Sequence, residues 1–277
     1  MFESIKDALK TKDTPSKFRE ILKFEVGKTY QLRILPDIKD PSKTFFHYYS
    51  HGWESFSTGQ FLSEVSPSTW GERDPISEAR FAVLKHGTEE DKEKVKKLTR
   101  RESWLANVYV VEDQTNPEYV GKVKVMRFGR QLHKIIMDAI EGEDAEVFGP
   151  RIFDLTKDGV SLRVKCERQG DFPTYVSSKF GPAPSAVPGL DEDNIKEVYE
   201  NTHELESMFA VKSYDELKAI LNEHYYCKDA ESSDQVDDEP EDDVPYDTPA
   251  ATKTDKKESD DPLDDDKVKE LLEGLNS

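Results

Sequence analysis

Residues 229–277 cannot supply a folded core, because Asp, Glu, Ser, Pro and Thr dominate and apolar side chains are too few to offset the entropy of ordering them. This stretch holds 19 acidic residues against five lysines, so about −14 of the chain's formal charge of −19 lies in it. The preceding residues are close to balanced, which removes the objection that an acidic protein should avoid a polyanion. The expected organisation is an amino-terminal arm, 1–24, one folded core, 25–228, and a disordered acidic tail, 229–277. Only the tip of the tail departs from this character. There Asp264, Asp265 and Asp266 precede Val268, Leu271, Leu272 and Leu275, spaced as a short amphipathic helix with acids at its positive end. A helix this short needs a protein partner.

The arm shows weak helical spacing, Ile5 and Leu9, then Phe18, Ile21 and Leu22, broken at Thr14-Pro15. From Thr29 the period becomes two. Tyr30, Leu32 and Ile34 alternate with Gln31 and Arg33 up to Pro36, the pattern of a half-buried strand. Thr44–Tyr49 reads as a second, aromatic strand. Leu105–Val111 and Val120–Phe128 flank the turn-type sequence Glu112–Pro117 and read as a hairpin, with Val123 and Val125 on one face and Lys122 and Lys124 outward. A helix starting at Gly129 carries Leu132, Ile135, Ile136 and Ala139 at helical spacing. In the strand Val160–Cys166, Val160, Leu162, Val164 and Cys166 face inward while Ser161, Arg163 and Lys165 face outward. Asp191–Phe209 and Ser213–Tyr226 read as helices, the second opening with a capping box of Ser213 and Glu216. Short strands with helices added at the end define an α+β chain around a small β-barrel.

Three clusters mix cations with aromatic rings. In the first, Lys96, Lys97, Arg100 and Arg101 come just before Trp104 at the entrance to a strand. The second is Lys122, Lys124, Arg127, Phe128 and Arg130, and the third is Phe172, Tyr175, Lys179 and Phe180. Binding a single nucleic-acid strand without sequence preference needs this mixture: cations along the phosphates and rings on which bases stack for about 1–3 kcal/mol each. Plainer roles are open to several members. Lys96 and Lys97 can pair with Glu89, Glu90, Asp91 and Glu93 on the surface, Trp104 serves equally as core or as platform, and Phe128 and Phe180 suit a core.

Catalytic signals are weak. His47 and His51 flank the aromatic strand, but no quartet of Cys and His completes a zinc site around them. Cys166 lies on the apolar face of its strand, and with Cys227 it forms neither a disulfide framework nor a CxxC pair. There is no GxxxxGK[ST] loop and no GxSxG elbow. No long apolar run occurs either, so the expectation is a soluble, intracellular, non-enzymatic protein without cofactor or membrane partner. Two other readings stay open: an acidic adaptor or scaffold acting through its tail tip, and an RNA-directed binder, since stacking platforms do not reject the 2′-hydroxyl.

Several segments keep an order and spacing that resembles one family. They are Ser103-Trp104-Leu105-Ala106-Asn107-Val108, Val110-Val111-Glu112-Asp113, Pro117-Glu118, Gly121-Lys122-Val123, Arg127-Phe128-Gly129-Arg130, Phe172 with Tyr175, Ser178-Lys179-Phe180 and Ala186-Val187-Pro188. The family is that of the single-stranded DNA-binding, helix-destabilising proteins of T-even type bacteriophages. The resemblance implies an OB-fold core and sequence-tolerant, cooperative coating of single strands in replication, recombination and repair, which would take place in the host bacterial cytoplasm. It also implies contacts between copies along DNA and an acidic tail that contacts replication and recombination proteins. By motif position Arg100, Arg101 and Trp104 would line the DNA cleft with Arg127, Phe128, Arg130, Phe172 and Tyr175, and Phe81 stands where the family carries a cleft tyrosine. Three departures accompany it. The family's zinc subdomain uses one histidine and three cysteines, but here His51-Gly52 stands alone and Asp74–Ala79 replaces the cysteine pair, so zinc is not expected. The family's Tyr-Trp pair is Trp104-Leu105, and the amino-terminal cooperativity motif is reduced to Phe2–Lys6, which argues against strong cooperativity.

Overall fold

The computed structural model describes residues 20–227. The expected amino-terminal helical spacing up to Phe18 and the acidic tail with its tip, Asp264 to Leu275, lie outside the described residues. Among the described residues there are nine strands: β1 (Thr29–Leu35), β2 (Phe45–Glu54), β3 (Phe61–Val65), β4 (Arg101–Asp113), β5 (Val123–Phe128), β6 (Leu162–Lys165), β7 (Glu167–Gln169), β8 (Phe172–Thr174) and β9 (Lys179–Phe180). Five α-helices join them: α1 (Pro75–His86), α2 (Glu89–Val95), α3 (Arg130–Glu141), α4 (Glu192–Glu200) and α5 (Tyr214–His224). The fold is mixed α+β with antiparallel strand pairing. Among the described residues no helix is long and apolar enough to cross a membrane.

Strand β4 organises the main sheet. Ala106 at the end of its first half pairs with Phe45 of β2, and the next residue, Asn107, pairs with Leu35 of β1, so β1 and β2 lie end to end along one edge of β4. Trp104–Tyr109 pair with β5, which overlaps both and therefore takes the other edge. β3 extends the sheet from β2, β6 from β1 and β9 from β6, while β7 and β8 form a separate hairpin. The turn between β4 and β5 is fixed by Asp113, whose carboxylate accepts the Thr115 and Asn116 amides at 2.7 and 2.8 Å, as the turn-rich sequence requires. Tyr30, Leu32, Ile34, Ala106, Val108, Met126, Phe128, Leu162 and Val164 meet Leu132, Ile136 and Ala139 of α3 in the main core. A second core joins Trp53 at the far end of β2 to Ile76, Val95 and Leu98, with Leu217 and Leu221 of α5. Full burial of a side chain such as Leu217 contributes about 1.5–3 kcal/mol.

Three local readings are corrected. Lys124 does not face solvent: it shares a face with Met126 and Phe128, is only 8% exposed, and its ammonium lies 2.7 Å from the Glu20 carboxylate and over the Tyr119 ring. The other face of β5 is also covered, since Val125 packs with Leu205 and Met208, so alternation had no solvent side to mark. Arg33, on the polar side of the β1 alternation, is completely buried. The stretch 191–209 is helical only over Glu192–Glu200, with a single further turn at Glu206–Met208.

Candidate nucleic-acid interface

Where β2 and β4 run past the main core, the face they share carries rings and cations instead of aliphatic side chains. His47 pairs with Trp104, and Tyr49 with Glu102. These residues form a continuous ladder. The Arg100 guanidinium sits 3.9 Å above the Tyr49 ring, Tyr49 and His47 centroids are 4.8 Å apart, and His47 lies 5.0 Å from Trp104. His133 of α3 closes the far end, stacked on the indole at 4.0 Å with 21° between the planes. One face of Trp104 is therefore already occupied by an imidazole. The helical pattern explains His133: Leu132, Ile136 and Ala139 turn into the core and leave Arg130 and His133 on the other side.

Glu102 anchors two members of this group. Its carboxylate accepts from His47 Nε2 at 2.9 Å and from Arg130 Nε at 2.8 Å. Partial burial alone would raise its pKa, but these two partners outweigh that and hold the carboxyl below the ordinary glutamate value. For His133 the balance runs the other way. Burial, with a contribution from neighbouring His47, keeps its pKa below the ordinary 6.5 despite the attraction of Glu102. Arg100 also donates to Ser68 Oγ at 2.8 Å, and Arg101 reaches the Gly52 carbonyl at 3.5 Å. Both arginines are exposed. Gly52 leaves room for close approach here, since a Cβ would come to 3.0 Å from the Phe61 ring and 3.6 Å from the Arg101 guanidinium.

The expected site residues do not all converge. Arg100, Trp104 and Arg130 come together around the ladder, whereas Arg101 pairs with Ser50 on the other face of β4 and its guanidinium lies at Gly52. The β7–β8 hairpin is tied to the same helix, since Gln131 Oε1 accepts the Tyr175 amide at 2.8 Å, and it presents Phe172, 75% exposed. Lys96 pairs with Glu93, and Lys97 lies over the Phe56 ring at 5.0 Å in the helical lobe. Phe81 is exposed on α1 beside Arg80. Arg127 sits on the opposite face of β5 from the ladder, next to the Tyr48 hydroxyl. Lys122 lies beyond the far end of β5, roughly 20 Å of strand from Phe128, and Lys179 of β9 pairs with Arg163 of β6. Phe128 and Phe180 are 4% and 5% exposed in the main core, and Tyr175 packs its ring edge-on to Phe24, so these three rings contribute packing. Tyr49 and His133 were missed by sequence reasoning, and His47 was weighed there only as a metal ligand.

The zinc position implied by the family resemblance was tested on the residues around His51. Its Nδ1 lies 3.2 Å from the Leu98 carbonyl and its Nε2 2.7 Å from Asp74 Oδ2, so both ring nitrogens already face protein oxygens instead of an open ligand position. Two ligand atoms on one tetrahedral zinc, each about 2.0–2.1 Å from it, would sit about 3.3 Å apart. Among the described residues no three His, Cys, Asp or Glu side chains converge as a metal site. The residues present do not fit zinc.

Residues 27–226, nearly all of this sheet and its helices, match the family model described as gp32 DNA binding protein like. The chain belongs to that family. Among curated relatives of this gp32-like chain, the single-stranded DNA-binding protein of Enterobacteria phage T4 is 29% identical over 192 residues, 67% of this chain and 62% of the relative. The single-stranded DNA-binding protein of Enterobacteria phage T2 is 28% identical over 198 residues, 69% of this chain and 64% of the relative. The match thus spans somewhat under two thirds of the length of either relative.

Proposed function

We propose that this chain binds single-stranded DNA with little sequence preference, as a binding protein and not a catalyst. The observation that carries the reading is the Arg100–Tyr49–His47–Trp104–His133 ladder, with Arg130 beside it, on a chain of the gp32-like family. Rings across three elements offer stacking surfaces, and the guanidinium groups follow the phosphates. Phe172 on its hairpin is the next ring along, and Lys97 and Lys179 supply more distant charge. Fluorescence and anisotropy titrations with oligo-dT should show tight, salt-sensitive binding that quenches tryptophan emission, with the quench reduced in Trp104→Phe. Equal affinity for duplex and single strand would overturn the reading. An RNA oligomer of matched length, run in competition, tests the RNA-directed alternative.

The pH dependence has a definite sign. A phosphate beside His133 raises its pKa, so the complex binds more protons than the free protein and affinity rises as pH falls. Between about pH 7.5 and about pH 5.5 we expect roughly a threefold gain in affinity, lost in His133→Gln. A flat profile in the unaltered protein would sink this role for His133.

The finer reading adds an OB-type barrel and a role in coating single strands during phage replication, recombination and repair in the host cytoplasm. It also adds an arm that contacts neighbouring copies and an acidic tail that recruits replication and recombination proteins. Support for the tail comes from its charge: about −14 on the last 49 residues can mask the arginine-lined face until DNA displaces it. A chain ending at Lys228 should bind oligo-dT more tightly at low salt, the gap closing as salt rises.

A further inference from the structure

Three side chains from three places in the helical lobe meet on one buried carboxylate. Asp74 Oδ2 accepts from His51 Nε2 on β2 at 2.7 Å, from Ser77 Oγ on α1 at 3.0 Å, and from Ser66 Oγ ahead of the turn Pro67–Trp70. The other oxygen, Oδ1, caps α1 by accepting the Ile76 and Ser77 amides at 3.0 and 3.3 Å. His51, Ser66 and Asp74 are at most 3% exposed. A carboxylate removed from water this completely needs several donors, and it has five.

We propose that His51, Ser66, Asp74 and Ser77 form a metal-free replacement for a tetrahedral metal centre, with one histidine kept and three ligand positions refilled by hydrogen-bonding groups, and that this knot sets where the cationic segment leaves the lobe. The second half follows from the other ring nitrogen. His51 Nδ1 lies 3.2 Å from the carbonyl of Leu98, two residues before Arg100, so the same imidazole bridges β2, α1 and the entrance to β4. A single shared centre explains how β3, α1 and α2 stay registered on β2 although α2 buries only Val95. Hydrogen bonds from His51 and Ser66 hold the Asp74 carboxyl at about 2 although burial opposes it, so the carboxylate persists across the working pH range.

The structural half stands apart from the DNA-binding reading; the positional half rests on it. The full chain should purify without stoichiometric zinc and melt at the same temperature with EDTA or with added zinc. One zinc per chain, or a chelator-induced drop in melting temperature, would overturn the proposal. Asp74→Asn should lower the melting temperature by about 5 °C or more, with no rescue by zinc, and an unchanged melt would again overturn it. The triple variant Ser66→Cys, Asp74→Cys, Ser77→Cys should take up one Co(II) with thiolate charge-transfer absorption and gain thermal stability on adding zinc. If that variant is unfolded without metal, the cobalt titration reads the same convergence through coupled folding. Absence of cobalt binding would show that the four positions do not share a centre. Below its melting temperature, Asp74→Asn should bind oligo-dT severalfold more weakly. Unaltered affinity would refute the positional half alone, whereas failure of the unaltered protein to bind DNA would refute the function and leave the knot in place.

Discussion

Replacing Arg100 and Arg101 together with alanine is expected to weaken oligo-dT binding by about 25-fold at about 0.1 M salt and to reduce the slope of log affinity against log salt by about 1.4. The two figures are one effect. Each phosphate neutralised on a single strand releases about 0.7 of a counterion, and two lost contacts forfeit that release twice. Arg100 adds a local consequence, because its guanidinium lies 3.9 Å over Tyr49 and bonds Ser68, so its loss also frees the first ring of the ladder. Both side chains are exposed, so the melting temperature should hardly move. A reduced affinity with an unchanged salt slope would exclude these arginines as phosphate contacts.

Arg33→Leu should destabilise the fold by about 3–5 kcal/mol, measured by urea unfolding. The residue is completely buried, its Nη1 donating to the Asp154 carbonyl at 3.0 Å and its Nη2 to the Ser185 carbonyl. Leucine would leave both carbonyls without a donor, each costing about 1–3 kcal/mol. Burial lowers the guanidinium pKa while Asp154 and Tyr199 oppose it, and arginine remains charged in any case. The chamber has little slack, since even a Cβ on Gly159 would collide with Nη1. A change within about 0.5 kcal/mol would mean that Arg33 does not clamp the 154 and 185 segments to β1.

Arg33 and Lys124 also show why part of the fold was illegible. Period-two reading assumes that one face of a strand meets water, which serves for Tyr30, Leu32 and Ile34 against the main core. It fails where later segments cover the second face, as Leu155 and Val187 do beside Leu35, or Leu205 and Met208 do over Val125. The β4–β5 hairpin was readable from its turn chemistry, and α5 from its Ser213–Glu216 capping box, because both signals are local. Helices α1 and α2 escaped notice because their sequences carry little apolar periodicity, and caps at Asp74 and Thr88 secure their first turns. At the site, the arginines were legible as a charge cluster. The ladder was not, since His47, Tyr49 and His133 form no pattern in the sequence and adjoin only when β2, β4 and α3 bring them together. The usable hints were the face His47 and Tyr49 share with Phe45, and the helical face that sets Arg130 and His133 apart from Leu132 and Ile136.

The end-to-end seating of β1 and β2 along β4 constrains how the chain assembles as it leaves the ribosome. Both earlier strands are synthesised well before residues 101–113, the one strand with which both of them pair. Until β4 emerges, the nascent chain has only the local β2–β3 pairing available to it, and the apolar faces of β1 and β2 wait unpaired. Arrival of β4 joins three strands at once, and β5 follows through a short turn. Acquisition of protease resistance during translation should therefore come as one late step after Phe128 has cleared the exit tunnel.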